Sequence, residues 1–326
     1  MNANQAFVID TSDVKLQRSS HDALVKLGQR LIAGGYRFIT PTPLTHQRVN
    51  AREGNQTALS LRDVFGWSRP FSERLFPAAE LDELLAAGIV AAHARGFISR
   101  VRWSSLGDLL LAHSAYPTTD EDSVFFGPDT YRFAQSIRDQ LSRTFTPIKR
   151  AVDIGCGSGA GALVIASAQP HAQVFAVDIN PKALHFAQVN AEVVGVDNVE
   201  RLESDILQGV DGEFDLIVAN PPYMKDARQR AYRHGGDALG ADLSVRILRE
   251  SLQRLAVGGA LVLYTGVAMV DGADPFLAAV ADDIAGPAWA WTYREIDPDV
   301  FGEELLEDGY QDVERIAAVE LVVRRV

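Results

Sequence analysis

Two consecutive prolines stop an apolar run in the stretch Asp215-Leu216-Ile217-Val218-Ala219-Asn220-Pro221-Pro222-Tyr223. The run begins like a strand buried in a parallel sheet. Neither proline can donate to a sheet ladder, so the strand ends near Asn220. In an open α/β sheet, ligands sit beyond the carboxyl ends of the strands. That places a carboxamide, two stiff rings and an aromatic side chain at the edge of a crevice. The Asn220 oxygen can accept a hydrogen bond from a substrate NH2. Pro221 keeps its carbonyl but has no donor, so its backbone offers an acceptor alone to the same NH2. Tyr223 can stack on a flat group. Together these residues would hold a planar nitrogen and aim its lone pair at an electrophile. Asparagine before proline also starts ordinary turns, so the same residues would equally suit a plain strand end.

A second constellation lies some sixty residues upstream, in Ala151-Val152-Asp153-Ile154-Gly155-Cys156-Gly157-Ser158-Gly159-Ala160-Gly161. Such glycines let the backbone approach a ligand and open the following helix tightly. Amides at a helix N-terminus suit an anion. A nicotinamide-binding fold would share the glycine loop, although the usual spacing there is G-x-G-x-x-G. The next strand, Gln173–Val177, leads to Asp178, 19 residues past Gly159. A carboxylate about 20 residues past the loop is expected to reach ribose hydroxyls. A third strand, Val199–Glu203, leads to Ser204-Asp205-Ile206.

The pair of motifs resembles the class I S-adenosylmethionine-dependent methyltransferases. Asp153-x-Gly155-x-Gly157-x-Gly159 is similar to their cofactor loop. Asn220-Pro221-Pro222-Tyr223 resembles the signature of members that methylate a planar exocyclic or amide nitrogen. The resemblance covers about the last two hundred residues and extends to the release-factor glutamine methyltransferases among the small-domain methyltransferases. It implies S-adenosylmethionine as cofactor. Asp153 would then lie near the ligand ammonium, the loop and helix amides would meet its carboxylate, and Asp205 would accept from the adenine amino group. The segment Phe125-Phe126-Gly127-Pro128-Asp129-Thr130 falls where those enzymes carry a Pro-Arg-Pro-Glu-Thr-like stretch that touches cofactor and substrate. Pro128 and Thr130 are kept, Asp129 replaces the glutamate, and Gly127 stands where the family has arginine. Gly235-Gly236-Asp237 resembles a glycine-rich segment that follows the same signature. The implied acceptor is a protein glutamine amide. Adenine N6 or guanine N2 in a structured RNA remains open, as do a nucleotide-dependent oxidoreductase and a non-catalytic cofactor-binding protein.

These residues need a scaffold. From Ala151 onward the pattern alternates strand and helix. The resemblance implies a Rossmann-like, seven-stranded, mostly parallel α/β sheet over residues 116–326. Trp289–Ile296 and Ile316–Val323 are expected to close it as an antiparallel pair, with an acidic insertion between them whose role the sequence does not show. Residues 1–115 are expected to form a smaller, mostly helical recognition domain. Helices are expected over 13–34, Leu59–Trp67 and Ala78–Ala87, with the proline-punctuated stretch Ile39–Leu44 as a connection. In the run Phe97–Trp103, Val101 and Trp103 alternate with Arg100 and Arg102, as in a half-exposed strand. With the preceding helix it resembles a winged helix. Leu109–His113 and Val124–Phe126 are expected to pair as a hairpin joining the domains.

The 326 residues are 47% apolar and 23% charged, an ordinary globular composition. No run is long enough for a membrane span, and the polar, acidic start does not resemble a signal peptide. One cysteine cannot make an internal disulfide, and no Cys/His cluster suggests a metal. A reducing cytoplasm is the expected setting. The net charge of −12 is uneven: residues 1–150 hold 18 basic and 15 acidic side chains, and the rest hold 13 and 28. An acidic catalytic half disfavours broad phosphate binding. The run Lys225, Arg228, Arg230, Arg233 and His234 beside the signature could meet phosphates or acidic side chains, or be a solvated loop.

Overall fold

A computed structural model describes residues 11–224, 235–236 and 240–326. The chain forms two compact units, Met1–Pro117 and Thr118–Val326. The basic run 225–234 and Asp237 lie outside the described residues.

The second unit begins with α5 (Pro128–Ser142) and then alternates strand and helix: β5 (Arg150–Ile154), α6 (Ala160–Ala168), β6 (Gln173–Asp178), α7 (Pro181–Val194) and β7 (Val199–Glu203). It continues through β8 (Phe214–Ala219), α8 (Asp242–Leu252), β9 (Leu255–Met269), α9 (Pro275–Val280), β10 (Trp289–Asp297) and β11 (Arg315–Arg325). One seven-stranded sheet results, in the order β10-β11-β9-β8-β5-β6-β7. Strands β5 to β9 pair in parallel, whereas β11 is antiparallel to both β9 and β10. The inner strands are apolar along their whole length because helices cover both faces. Val152, Ile154, Ile217 and Leu263 are almost fully buried. The expected antiparallel pair is present, with β11 inside the sheet and β10 at its edge.

Strand β9 is irregular near its start. Gly258 and Gly259 fall within it, where the step of two residues from Phe214 to Leu216 on β8 faces a step of five from Leu255 to Ala260 on β9. The extra residues loop out, and Gly258 takes φ +81° there. Phe214 closes this end of the sheet. It is fully buried, meets Phe175 edge-on at 5.9 Å, and lies under the guanidinium groups of Arg150 at 5.1 Å and Arg254 at 5.6 Å.

The first unit contains α1 (Thr11–Ala33), α2 (Pro43–Asn50), α3 (Leu61–Phe65) and α4 (Ala78–Ala86). Two separate ribbons follow: β1 (Val90–His93) with β2 (Gly96–Ser99), and β3 (Val101–Leu106) with β4 (Leu109–Ser114). Three expectations are corrected here. The prolines near residue 42 start a helix, since Thr42 caps α2 and Pro43 occupies its first turn, where a missing N–H costs nothing. Strand β4 pairs with β3 across the short turn at Gly107-Asp108, not with Val124–Phe126, which is not a strand. All six residues of β3 are buried, including Arg102, whose guanidinium lies 5.8 Å from the rings of both Phe38 and Tyr116. Of the two alternating arginines only Arg100, between β2 and β3, is exposed; Arg102 points inward, where aromatic faces accept the cation. Among the described residues no helix is long and apolar enough to cross a membrane.

Replacing Phe214 by alanine removes a fully buried ring between two cations. The expected loss is about 3–5 kcal/mol in unfolding free energy, read by urea denaturation of the wild type and variant. A change below about 1 kcal/mol would show that the arginines, not the ring, hold this end of the sheet.

Candidate active site

The carboxyl ends of β5, β6, β7 and β8 open into a cavity of about 240 Å³ within the second unit. Of the residues singled out in the sequence, Thr130, Asp153, Gly155, Gly157, Asp178, Asp205, Asn220, Pro221, Pro222 and Tyr223 border it. Gly159 does not. It starts α6 with φ +79°, and a Cβ there would stand 3.0 Å from that of Ala187 on α7.

The glycine loop is built around two carboxylates. Gly155 and Gly157 take φ +65° and +53°, a region that glycine reaches without penalty. A side chain at Gly155 would meet nothing within 4 Å. Beneath the loop, Asp153 is 1% exposed and its Oδ2 accepts from the Ala162 N–H at 2.8 Å. Gly161 leaves it room, since a Cβ there would stand 2.8 Å from the same oxygen. An α6 amide expected to face a ligand anion thus serves the protein's own carboxylate. Burial raises the Asp153 carboxyl to about 7, against the pull of the α6 amides. Asp178, at the end of β6, accepts from the amides of Gly157 and Asn180, each at 2.9 Å. Burial raises it too. Asp205 is half exposed and pairs with Arg246 at 3.1 Å. Thr130 closes the first turn of α5 by accepting from the Gly127 N–H at 3.2 Å.

At the other end of the cavity the chain leaves β8. Asn220 is partly buried, and its carboxamide has no hydrogen-bond partner among the described residues. Tyr223 is 7% exposed. Its ring lies against Gly266 of β9, where a Cβ would overlap it, and meets Phe301 edge-on at 6.0 Å. The Tyr223 hydroxyl donates to Asp129 Oδ2 at 2.5 Å, and the Tyr264 hydroxyl donates to Oδ1 at 2.9 Å. Arg132 reaches the same Oδ1 at 3.1 Å and binds Asp297 at 2.6 Å with its other nitrogen. Burial raises the Asp129 carboxyl, against the pull of these donors. Burial, and next the Asp129 charge, hold the Tyr223 phenol well above its usual range. It is a fixed donor and not a base.

Tyr264, Arg132, Phe125 and Phe301 escaped the sequence reading as site residues. Only Arg132 left a signal there, three residues after Asp129 on the same helix face. Phe125 accounts for the departure at Gly127. Its ring lies over that glycine, so a Cβ at 127 would stand 2.6 Å from it, and the ring borders the cavity.

Residues 137–269 match the family described as Methyltransferase small domain. The match covers the segment from the middle of α5 to the end of β9 and not the rest of the chain. The family is S-adenosylmethionine-dependent. The chain is 33% identical over 198 residues to the release factor glutamine methyltransferase of Deinococcus radiodurans, covering 57% of this chain and 66% of that one. It is 38% identical over 132 residues to the ribosomal protein uL3 glutamine methyltransferase of Xanthomonas campestris pv. campestris, covering 36% of this chain and 42% of that one. It thus spans less than two thirds of the length of either relative. A solved tRNA m1G37 methyltransferase of M. jannaschii is 14% identical, with 69% of this chain and 57% of that one covered and a TM-score of 0.46. At that distance it bears on neither substrate nor mechanism.

The residues that border the cavity fit S-adenosylmethionine, the cofactor of the matched family. The left-handed Gly155 and Gly157, the carboxylates Asp178 and Asp205, and the Asn220 carboxamide, which has no partner among the described residues, all border one cavity. Among the described residues no cluster of His, Cys, Asp and Glu could hold a metal.

The raised Asp153 carboxyl sets a pH dependence. Between the ordinary carboxyl value of 3.8 and about 7, the folded protein holds a proton that the unfolded chain has released. Its contribution to stability therefore falls as pH rises through that window, by about 1.4 kcal/mol per pH unit at most, and is level above it. Asp153→Asn lacks this loss. Thermal unfolding of the two proteins without added ligand, from pH 4 to 8, should show the variant gaining on the wild type up to about pH 7 and then holding its lead. A constant difference across the window would remove Asp153 as the titrating group.

Proposed function

We propose that this protein transfers a methyl group from S-adenosylmethionine to a planar NH2 nitrogen, the side-chain amide of a glutamine in a protein acceptor. The observation that carries this is the Asn220 carboxamide, which lies on the wall of the cavity that the glycine loop also borders and has no partner among the described residues. The glutamine methyltransferase names of the two relatives support the choice of acceptor. Bound in the cavity, S-adenosylmethionine supplies an electrophilic methyl group on its sulfonium.

The chain's own residues supply position and polarisation. Asp178, fixed by two backbone amides, keeps lone pairs for ribose hydroxyls. Asp205 faces the cavity for an adenine amino group. Loop backbone that glycines hold open lines the remainder. At the acceptor end, Asn220 Oδ1 and the Pro221 carbonyl accept the two N–H bonds of the substrate amide. This fixes the nitrogen, draws electron density onto it and orients it for in-line attack, with reacting atoms held about 3–3.5 Å apart. Alkylation makes the nitrogen acidic, so its proton leaves to water and no strong base need act before the transfer. Tyr223 walls the acceptor end while its hydroxyl is committed to Asp129. The basic run 225–234 in the sequence keeps a structured RNA base as the second acceptor class.

Asn220→Ala should lower kcat/KM for methyl transfer by about 100-fold or more, with the Kd for S-adenosylmethionine unchanged within about threefold. Asp178→Ala should show the reverse emphasis, weakening cofactor binding by about tenfold or more. Titration calorimetry reads binding, and tritiated S-adenosylmethionine with a cell extract reads transfer. Pretreatment of the extract with protease should abolish the label and pretreatment with ribonuclease should not. Heat with NAD but none with S-adenosylmethionine, or wild-type turnover by Asn220→Ala, would overturn the proposal.

A further inference from the structure

Strand β10 runs parallel to β9, and β11 returns against both. The connection between them therefore lies at the carboxyl edge of the sheet, where the cavity opens. It occupies residues 298–314, far longer than the two to five residues that usually join a hairpin. It is nevertheless tied down. Asp297 is held by Arg132, the Val300 N–H donates to the Ile316 carbonyl at 2.8 Å, and Arg315 donates to the Pro298 carbonyl at 2.9 Å. The Tyr310 hydroxyl reaches the Met224 sulfur at 3.8 Å, just past the signature. Between these ties Phe301 takes φ +54°, an uncommon conformation for an aromatic residue, and from there borders the cavity.

We propose that this strap, through Phe301, selects the acceptor: its ring is the wall along which the aliphatic stem of the substrate side chain lies, and the strap admits a cationic polypeptide. The proposal rests on the function proposed above and names the substrate class of that site. The sheet order assigns Phe301 to the acceptor end. Asp153, Asp178 and Asp205 follow from β5, β6 and β7, whereas the strap comes from the opposite side of β8 and meets Tyr223.

The ring geometry disfavours a nucleobase. Clamping a base needs two roughly parallel rings about 7 Å apart, twice the thickness of an aromatic ring. Tyr223 and Phe301 instead touch edge-on, with centroids 6.0 Å apart and planes at 68°, so no flat slot lies between them. Methylene groups can lie along such a wall without a second ring. Charge points the same way. Residues 298–314 contain seven acidic side chains and no lysine or arginine. Asp299, Glu303, Glu307, Asp308, Asp312 and Glu314 are exposed. A phosphate backbone approaching this rim is repelled, and lysine or arginine near the modified residue is attracted.

The test offers the full-length protein and tritiated S-adenosylmethionine three acceptors: a glutamine peptide flanked by lysine and arginine, the same peptide flanked by glutamate, and an RNA hairpin. Wild type should methylate the basic peptide with a KM at least tenfold below that of the acidic one, and leave the RNA unlabelled. Phe301→Gly removes the ring but suits the backbone conformation. It should raise the basic-peptide KM at least tenfold with cofactor Kd unchanged within twofold, and Phe301→Tyr should restore the KM. Equal use of the two peptides, label in RNA alone, a parallel loss of cofactor affinity in Phe301→Gly, or no label in any acceptor despite intact cofactor binding would each overturn the proposal. A wild-type protein that binds no S-adenosylmethionine would instead fail the function proposed above.

Discussion

Asp129 is a carboxylate with almost no access to water, and it survives there only because three donors converge on it. Tyr223 comes from the turn after β8, Tyr264 from β9 and Arg132 from the next turn of its own helix. Removing a buried carboxylate's partners costs several kcal/mol, because the charge cannot return to water. The four groups therefore assemble together or not at all. Arg132 carries the constraint further, to Asp297 at the end of β10. The start of α5, the proline turn, the middle of the sheet and its edge are thus fixed relative to one another by one oxygen pair. The same contact settles what Tyr223 can do: its proton is committed, so the ring contributes shape.

The sheet divides the cavity wall. The carboxylates Asp153, Asp178 and Asp205 stand at or just past the ends of β5, β6 and β7, and Asn220, Tyr223 and Phe301 stand after β8 and in the connection that follows β10. Each group rests on different strands. At the glycine loop the protein arranges its own charges first: Asp153 occupies an α6 amide and Asp178 binds the loop backbone. The loop is consequently shaped by internal hydrogen bonds, and a ligand meets a surface that is already formed.

The parallel core was legible in the sequence because its strands are short apolar runs bounded by glycine, aspartate or proline, a pattern that burial on both faces demands. Asn220-Pro221-Pro222-Tyr223 and the glycine loop were legible for the same reason: local chain chemistry fixes where they stand. What escaped depends on residues far apart in the chain. Arg102 reads as an exposed wing until Phe38 and Tyr116 are found around it. Pro43 reads as a connector until Thr42 caps the helix it opens. Phe301 lies in an acidic stretch with no periodicity, and nothing local indicates that Asp297, Val300 and Tyr310 anchor it. The pairing of β4 with β3, in place of a later segment, is a choice between competing partners that alternation alone does not rank.

Gly127 and Phe125 show how one side chain of such a site sets what its neighbour can be. The Phe125 ring occupies the space that a side chain at 127 would need, with its far edge 2.6 Å from where a Cβ would stand. A residue larger than glycine at 127 therefore requires the phenyl group to swing aside or to be replaced. The two positions are not independent: each change is tolerated or not according to what the other already is.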